Sequence, residues 1–200
     1  MSLRLSGGRR LQSPPGATAR PTPSRLRLAV MNMLAAELPG ARWLDLFSGS
    51  GVMGCEALQR GAGCVVAVDQ DRQMAATSRA NLEAVAQGLA GRPQGSERSA
   101  ATVEVAQQEV LRWLQAGALQ RGQGRDWSGG FELIYADPPY AAGLYGPVAR
   151  AVAAGGWLTP GGELLLECAS SAVTEVPEGW LLHDQRRYGS STLVRLRLEG

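Results

Sequence analysis

Short runs of strand-type residues alternate with helical patterns along most of this chain, and that alternation restricts the fold more than any other feature. Strands are predicted over 43–47, 64–68, 102–106, 131–135 and 163–167, with helices over 52–60, 71–87, 109–116 and 145–154 between them. Strands this apolar, each followed by a helix, are those of a parallel sheet covered on both faces. The last two strand patterns, 181–185 and 192–198, have no helical pattern between them and are expected to pair antiparallel. The expected fold class is therefore α/β, with a mostly parallel seven-stranded sheet. Sheets of this kind take their ligands at the carboxyl ends of the strands, near the point where strand order reverses.

The first 39 residues read differently. Arg4-Leu5-Ser6 and Arg10-Leu11-Gln12 flank Gly7-Gly8, a pattern compatible with a small hairpin. Ser24 is a candidate N-cap for a helix whose apolar residues Leu26, Val30, Met33, Leu34 and Leu38 recur at helical spacing up to Pro39-Gly40. The division expected is a basic appendage over 1–39 and an α/β domain over 40–200. Arg4, Arg9, Arg10, Arg20, Arg25 and Arg27 fall in a stretch with no acid, although the whole chain carries a net charge of only +2. A basic arm on a nearly neutral body points to a polyanionic partner. All 20 basic residues are arginine, which excludes chemistry that needs a lysine, such as a Schiff base.

Cys55, Cys64 and Cys168 are far apart and odd in number, and His183 is the single histidine. That pattern argues against a disulfide framework and against a metal site. No run approaches the roughly 18–20 apolar residues of a membrane span, and Met1 to Arg10 has no apolar stretch of the secretory kind. A cytoplasmic protein with no membrane association is the expectation. The stretches 87–100 and 117–130, rich in Gly, Ser, Gln and Arg, read as surface loops.

Three motifs carry chemistry, each at the end of a predicted strand. Asp45-Leu46-Phe47-Ser48-Gly49-Ser50-Gly51, with Gly54, is a glycine-rich strand-to-helix turn that lets a ligand come close to the backbone. Gly49, Gly51 and Gly54 satisfy the dinucleotide spacing, but the acid at Asp45 suits a cationic or zwitterionic ligand better than a diphosphate. Asp69, ending the second strand, can accept both hydroxyls of a ribose. Glu109 is a weaker acceptor for an adenine amine, and equally a helix N-terminal acid favoured by the helix dipole. Asp137-Pro138-Pro139-Tyr140 ends the fourth strand. The prolines fix the backbone, the Asp137 carboxylate and the Pro138 carbonyl can both accept from one amino group, and Tyr140 offers a face on which a base can stack.

The serine-glycine turn together with Asp137-Pro138-Pro139-Tyr140 resembles S-adenosylmethionine-dependent amino-methyltransferases of the Rossmann-like class I. Within that class the chain resembles the RsmD family almost end to end. The matching stretches include Gly7 to Leu11, Arg20-Pro21-Thr22-Pro23-Ser24-Arg25-Leu26-Arg27, Asn81-Leu82, and Tyr188-Gly189 with Thr192. The resemblance implies methylation of the N2 amine of a guanine, position 966, in 16S ribosomal RNA of a partly assembled 30S subunit. It implies a monomer that uses S-adenosylmethionine and no metal. The catalytic residues would be Asp137, Pro138, Pro139 and Tyr140. The cofactor would be held by Asp45, Phe47, Ser48, Gly49, Ser50, Gly51, Asp69, Gln70 and Glu109, with Thr22 and Asn32 beside it. Arg9, Arg10, Arg20, Arg25 and Arg27 would contact RNA. Two other readings use part of the same residues. An adenine-N6 methyltransferase shares the Asp-Pro-Pro-Tyr chemistry, and a non-catalytic RNA-binding assembly factor would need only the basic arm. An NAD oxidoreductase accounts for the glycines but not for Asp137 to Tyr140.

Overall fold

The computed structural model describes residues 3–14, 24–90, 100–119, 129–139, 143–173 and 175–199. Seven strands form one sheet in the order β3-β2-β1-β4-β5-β7-β6. β1 (Arg42–Leu46), β2 (Cys64–Asp69), β3 (Thr102–Gln107), β4 (Phe131–Ala136) and β5 (Leu158–Ala169) run parallel. β7 (Ser191–Leu198) returns antiparallel beside β5, and β6 (Trp180–Tyr188) pairs antiparallel with β7 at the edge. Strand order reverses between β1 and β4, so the carboxyl ends of those two strands flank the crevice where such sheets bind ligands.

The apolar pattern divides the core into two layers. On one face α1 (Ser24–Met33), α2 (Val52–Gln59) and α3 (Arg72–Ala90) pack over Trp43, Val65, Leu133, Tyr135 and Leu165. On the other, α4 (Val110–Leu119) and α5 (Tyr145–Ala154) cover Leu44, Val66, Ile134, Leu164 and Trp157. Successive residues of β1 thus enter opposite layers, as a pleated strand with both faces covered requires. Trp43 stacks on Tyr135 in the first layer, with ring centroids 5.9 Å apart, and Trp113 stacks on Trp157 in the second at 4.8 Å.

The expected N-terminal hairpin is present as an antiparallel bridge between Arg4 and Arg10. It is not loosely appended. Leu5, Leu11, Leu26 and Val30 belong to the first core layer. The Ser6 backbone N–H and hydroxyl both donate to the buried Glu56 carboxylate, at 2.8 and 2.6 Å.

Several boundaries differ from expectation. α1 ends at Met33 although the apolar pattern runs on to Leu38, and Leu34 and Leu38 are buried from a turn instead. α3 extends to Ala90, three residues past its expected end at Gln87, and α4 reaches Leu119 past Gly117. β5 begins at Leu158 and contains Gly161-Gly162, which sit at a register shift rather than before the strand. A Cβ on Gly162 would press on the Phe131 carbonyl at 2.9 Å, so the neighbouring strand itself demands glycine there. Residues 91–99 and 120–128 of the two long loops lie outside the described residues.

Candidate active site

The turn after β1 is built from left-handed backbone. Phe47 has φ 61°, Gly49 53° and Gly51 74°. The conformation suits glycine, and the non-glycine Phe47 is an uncommon exception of the kind that clusters at ligand sites. Gly51 has a second constraint. α3 crosses behind it so closely that a Cβ would collide with the Ser78 hydroxyl and lie 3.1 Å from the Ser78 Cα. The turn is closed by the Gly51 N–H donating to the Ser48 carbonyl at 2.8 Å, and α2 starts directly after it.

Two carboxylates brace the turn. Asp69 at the end of β2 accepts the Gly49 N–H at 2.8 Å on one oxygen and the Asp71 N–H at 2.9 Å on the other. Asp45, in β1, is 2% exposed and accepts the Gly54 N–H at 3.1 Å. Burial raises the pKa of both. For Asp45 the rise is large, and the charges of Asp137 and Asp69 add to it against the Gly54 hydrogen bond. The acids at the amino edge of the sheet contrast with this. Glu132 pairs with Arg42 at 2.6 Å, and Glu163 pairs with Arg197 at 2.6 Å and with Arg195. Burial raises Glu132 too, but its hydrogen bonds and charge contact with Arg42 prevail and hold it below the usual carboxylate range. The carboxyl edge thus gathers acids in low-dielectric surroundings, where burial favours their neutral forms and a neighbouring cationic group would favour their ionised ones.

Asp137 leaves β4 at the level where Phe47 leaves β1. Leu46 is in register with Ala136, and the Asp137 N–H donates to the Leu46 carbonyl at 3.4 Å. Pro138 is buried and Pro139 exposed. Beneath them the Tyr135 hydroxyl donates to the Glu167 carboxylate of β5 at 2.5 Å. Burial, followed by the Glu167 and Asp137 charges, raises the Tyr135 pKa strongly, so it remains a hydrogen-bond donor.

The glycine turn, Asp45, Asp69, Gln70 and Asp137-Pro138-Pro139 therefore meet at one edge of the sheet, as the sequence reading expects. Glu109 stands at the neighbouring end of β3, but its two oxygens accept the Leu111 and Arg112 N–H groups at 2.9 and 2.8 Å, so it caps α4. Asn32 does not join the site. It accepts from Arg60, just past the far end of α2 from the glycine turn, and an eight-residue helix is about 12 Å long. Arg27 is also displaced from its expected place on an RNA surface. It is 6% exposed, donates to the Arg4 carbonyl at 2.8 Å and faces Glu56 at 3.8 Å, holding the hairpin to the body. Arg9 donates to the Ala84 carbonyl in α3 at 2.6 Å, whereas Arg10 and Arg25 are exposed. Tyr140, Thr22 and Arg20 lie outside the described residues.

A family model described as Conserved hypothetical protein 95 matches residues 5–197. The chain belongs to that family. A ribosomal RNA small subunit methyltransferase D from Escherichia coli strain K12 is 27% identical over 183 residues, 91% of this chain and 81% of that protein. The Haemophilus influenzae protein of the same name is 26% identical over 182 residues, 91% of this chain and 84% of its own length. Among solved structures, yhhF from Escherichia coli has a TM-score of 0.74 at 27% identity, covering 100% of this chain and 99% of that one. A hypothetical protein from a Thermus species has a TM-score of 0.68 at 27% identity, covering 92% of this chain and 91% of that one. The RsmD-type resemblance and the Rossmann-like class I fold are both borne out by these likenesses.

Sequence reasoning assigned no role to Ser78, Asn81 or the Tyr135–Glu167 pair. A signal for the first two was present. Ser78, Asn81, Leu82 and Val85 share the buried face of α3, and polar residues on such a face need partners. Nothing in the sequence pairs Tyr135 with Glu167, because the contact depends on the register of β4 against β5.

Proposed function

We propose that this chain transfers a methyl group from S-adenosylmethionine to the exocyclic N2 amine of a guanine in 16S ribosomal RNA of the small subunit. The observation that carries the reading is the juxtaposition of Asp137-Pro138-Pro139 with the glycine turn across the switch point, with Leu46 and Ala136 in register. The names of the relatives supply the RNA class, since both are small-subunit rRNA methyltransferases.

The residues fit the cofactor. The Ser48 hydroxyl is buried at the turn with no hydrogen-bond partner among the described residues, a group that a polar ligand would satisfy. Gly49, with nothing within 4 Å of where a Cβ would stand, leaves room for close approach to the backbone. Asp69, with lone pairs beyond those shared with Gly49 and Asp71, offers a double acceptor to ribose hydroxyls. Asp45, whose protonated form burial favours, and Asp137 are acids at this edge whose ionised forms a sulfonium and an ammonium would favour. When bound, S-adenosylmethionine supplies a methyl group already activated by its sulfonium.

The chain's own work is to prepare the acceptor. A guanine N2 is a poor nucleophile because its lone pair is conjugated with the ring. The Asp137 carboxylate and the Pro138 carbonyl accept its two hydrogens and draw it towards tetrahedral geometry. Those bonds strengthen as the nitrogen gains positive charge, so they favour the transition state over the bound substrate. Holding the amine in line with the methyl supplies the other large contribution. A base inside folded RNA must swing out to reach this edge, and Tyr140 is the stacking surface that would receive it. Arg10 and Arg25, both exposed, and Arg20 from the same basic segment, contact phosphates.

The test separates binding from transfer. Asp137→Ala should bind S-adenosylhomocysteine within a few-fold of the native protein in calorimetry. Its single-turnover methyl transfer to small subunits should fall by about 100- to 1,000-fold. Unimpaired transfer by Asp137→Ala would contradict the assignment.

A further inference from the structure

Asn81 sits midway along α3, 2% exposed, and the chemistry above does not use it. Its side-chain amide is engaged at both ends. The Oδ1 accepts the Gln12 backbone N–H at 2.8 Å. The Nδ2 donates to the Gln12 carbonyl at 3.1 Å and to the Ser50 carbonyl at 3.0 Å. By meeting both the N–H and the C=O of Gln12, the amide substitutes for a ladder partner of the hairpin's second arm. By meeting Ser50 with the same nitrogen, it holds the middle of the glycine turn. Neither segment can shift without leaving a buried partner unmatched. One helical turn earlier on the same face, Ser78 backs Gly51. The chain leaving Gln12 leads to the basic segment that carries Arg20 and Arg25.

We propose that Asn81 is a positioning residue that makes the cofactor turn and the second arm of the N-terminal hairpin a single unit, so that occupation of the cofactor site stiffens the hairpin at Leu11 and Gln12. The inference rests on the functional reading above and deepens it. A ligand that orders the turn fixes the amide plane. The fixed plane orders Gln12, and a hairpin already ordered loses less entropy when RNA binds at the exposed Arg10 two residues earlier. By linkage the effect is reciprocal. A loosened hairpin must weaken cofactor binding by the same factor.

The test is hydrogen exchange of the full chain with and without saturating S-adenosylhomocysteine. The Gln12 amide donates to Asn81, and Leu11 beside it donates to the Leu3 carbonyl at 2.9 Å. In the native protein both should exchange at least about five-fold more slowly with the ligand, the lower end of measured coupling between sites. Asn81→Asp keeps the acceptor for the Gln12 N–H but sets a carboxylate against two carbonyls. In that variant, with ligand still saturating, the slowing at residues 11 and 12 should vanish while the slowing at 48–51 persists. Slowing that persists at residues 11 and 12 in Asn81→Asp would overturn the proposal, as would a native hairpin unaffected by bound ligand. Should Asn81→Asp not fold, Gln12→Pro removes the same bond from the other side. It should weaken S-adenosylhomocysteine binding at least about five-fold, and an unchanged affinity would overturn the proposal. A native protein that does not bind S-adenosylhomocysteine would instead remove the functional reading itself.

Discussion

Gly49 and Gly51 occupy the same turn but should respond differently to alanine, and the difference can be worked out from the structure. Both have left-handed backbone, φ 53° and 74°, and an L-residue there costs about 1–2 kcal/mol. A Cβ on Gly49 would meet nothing within 4 Å, so Gly49→Ala should cost only that amount. A Cβ on Gly51 would collide with the Ser78 hydroxyl and lie 3.1 Å from both the Ser78 Cα and Cβ. Backbone of a buried helix cannot retreat cheaply, and overpacking adds about 1–3 kcal/mol. Gly51→Ala should therefore lose about 2–5 kcal/mol in total. For a chain of this size each kcal/mol lowers the melting temperature by about 2–4 °C. Ser78→Ala removes a buried hydroxyl that has no partner among the described residues, so alone it should be nearly neutral. Combined with Gly51→Ala it should recover part of the loss, because the Cα and Cβ contacts remain. Thermal unfolding followed by circular dichroism reads all four variants. Equal losses for the two glycine variants, or no recovery in the double variant, would refute the claim that α3 packing dictates Gly51.

Asp45 has its pKa raised in the fold, so the stability tied to its proton is fully present below the unfolded carboxyl pKa of about 3.9 and lost as pH rises through the folded value. Asp45→Asn should then gain stability over the native protein progressively with rising pH in urea melts while losing cofactor affinity; a pH-independent difference would contradict this. Tyr135→Phe leaves the buried Glu167 without its hydroxyl donor and should cost about 1–3 kcal/mol by denaturant titration, against no shift if the contact is incidental. Glu109→Ala removes the cap of α4 and should cost about 1 kcal/mol with little change in S-adenosylhomocysteine affinity; a large affinity loss would restore the adenine contact expected from sequence. Arg10→Gln and Arg25→Gln should each flatten the salt dependence of RNA binding by about one unit of slope, whereas an unaltered slope would remove them from the phosphate contacts.

The sheet was legible because its signal is local. Most of the parallel strands are apolar runs bounded by a glycine, an acid or a proline; Asp69 and Asp137 mark two strand ends, and Asp45 lies one residue before the end of β1. Their convergence follows from the general rule for strand order in such sheets. What the sequence did not disclose depends on which side chains meet across elements. Arg27 reads as one more surface arginine until the hairpin folds over it and Glu56 faces it. Asn32 reads as part of the site until α2 separates it from the turn. Helix ends were misjudged where Gly88 and Gly117 mimic stop signals. At Gly117 the Trp157 ring leaves no space for a Cβ, whereas Gly88 faces the movable guanidinium of Arg9.

The central claim is most directly tested by the identity of the methylated nucleoside. Small subunits from cells lacking this gene would be incubated with the purified protein and radiolabelled S-adenosylmethionine, and the RNA digested and separated. The account predicts label in N2-methylguanosine, absent with Asp137→Ala. Label in N6-methyladenosine would contradict the substrate assignment, and no label despite measured cofactor binding would contradict transfer to this RNA.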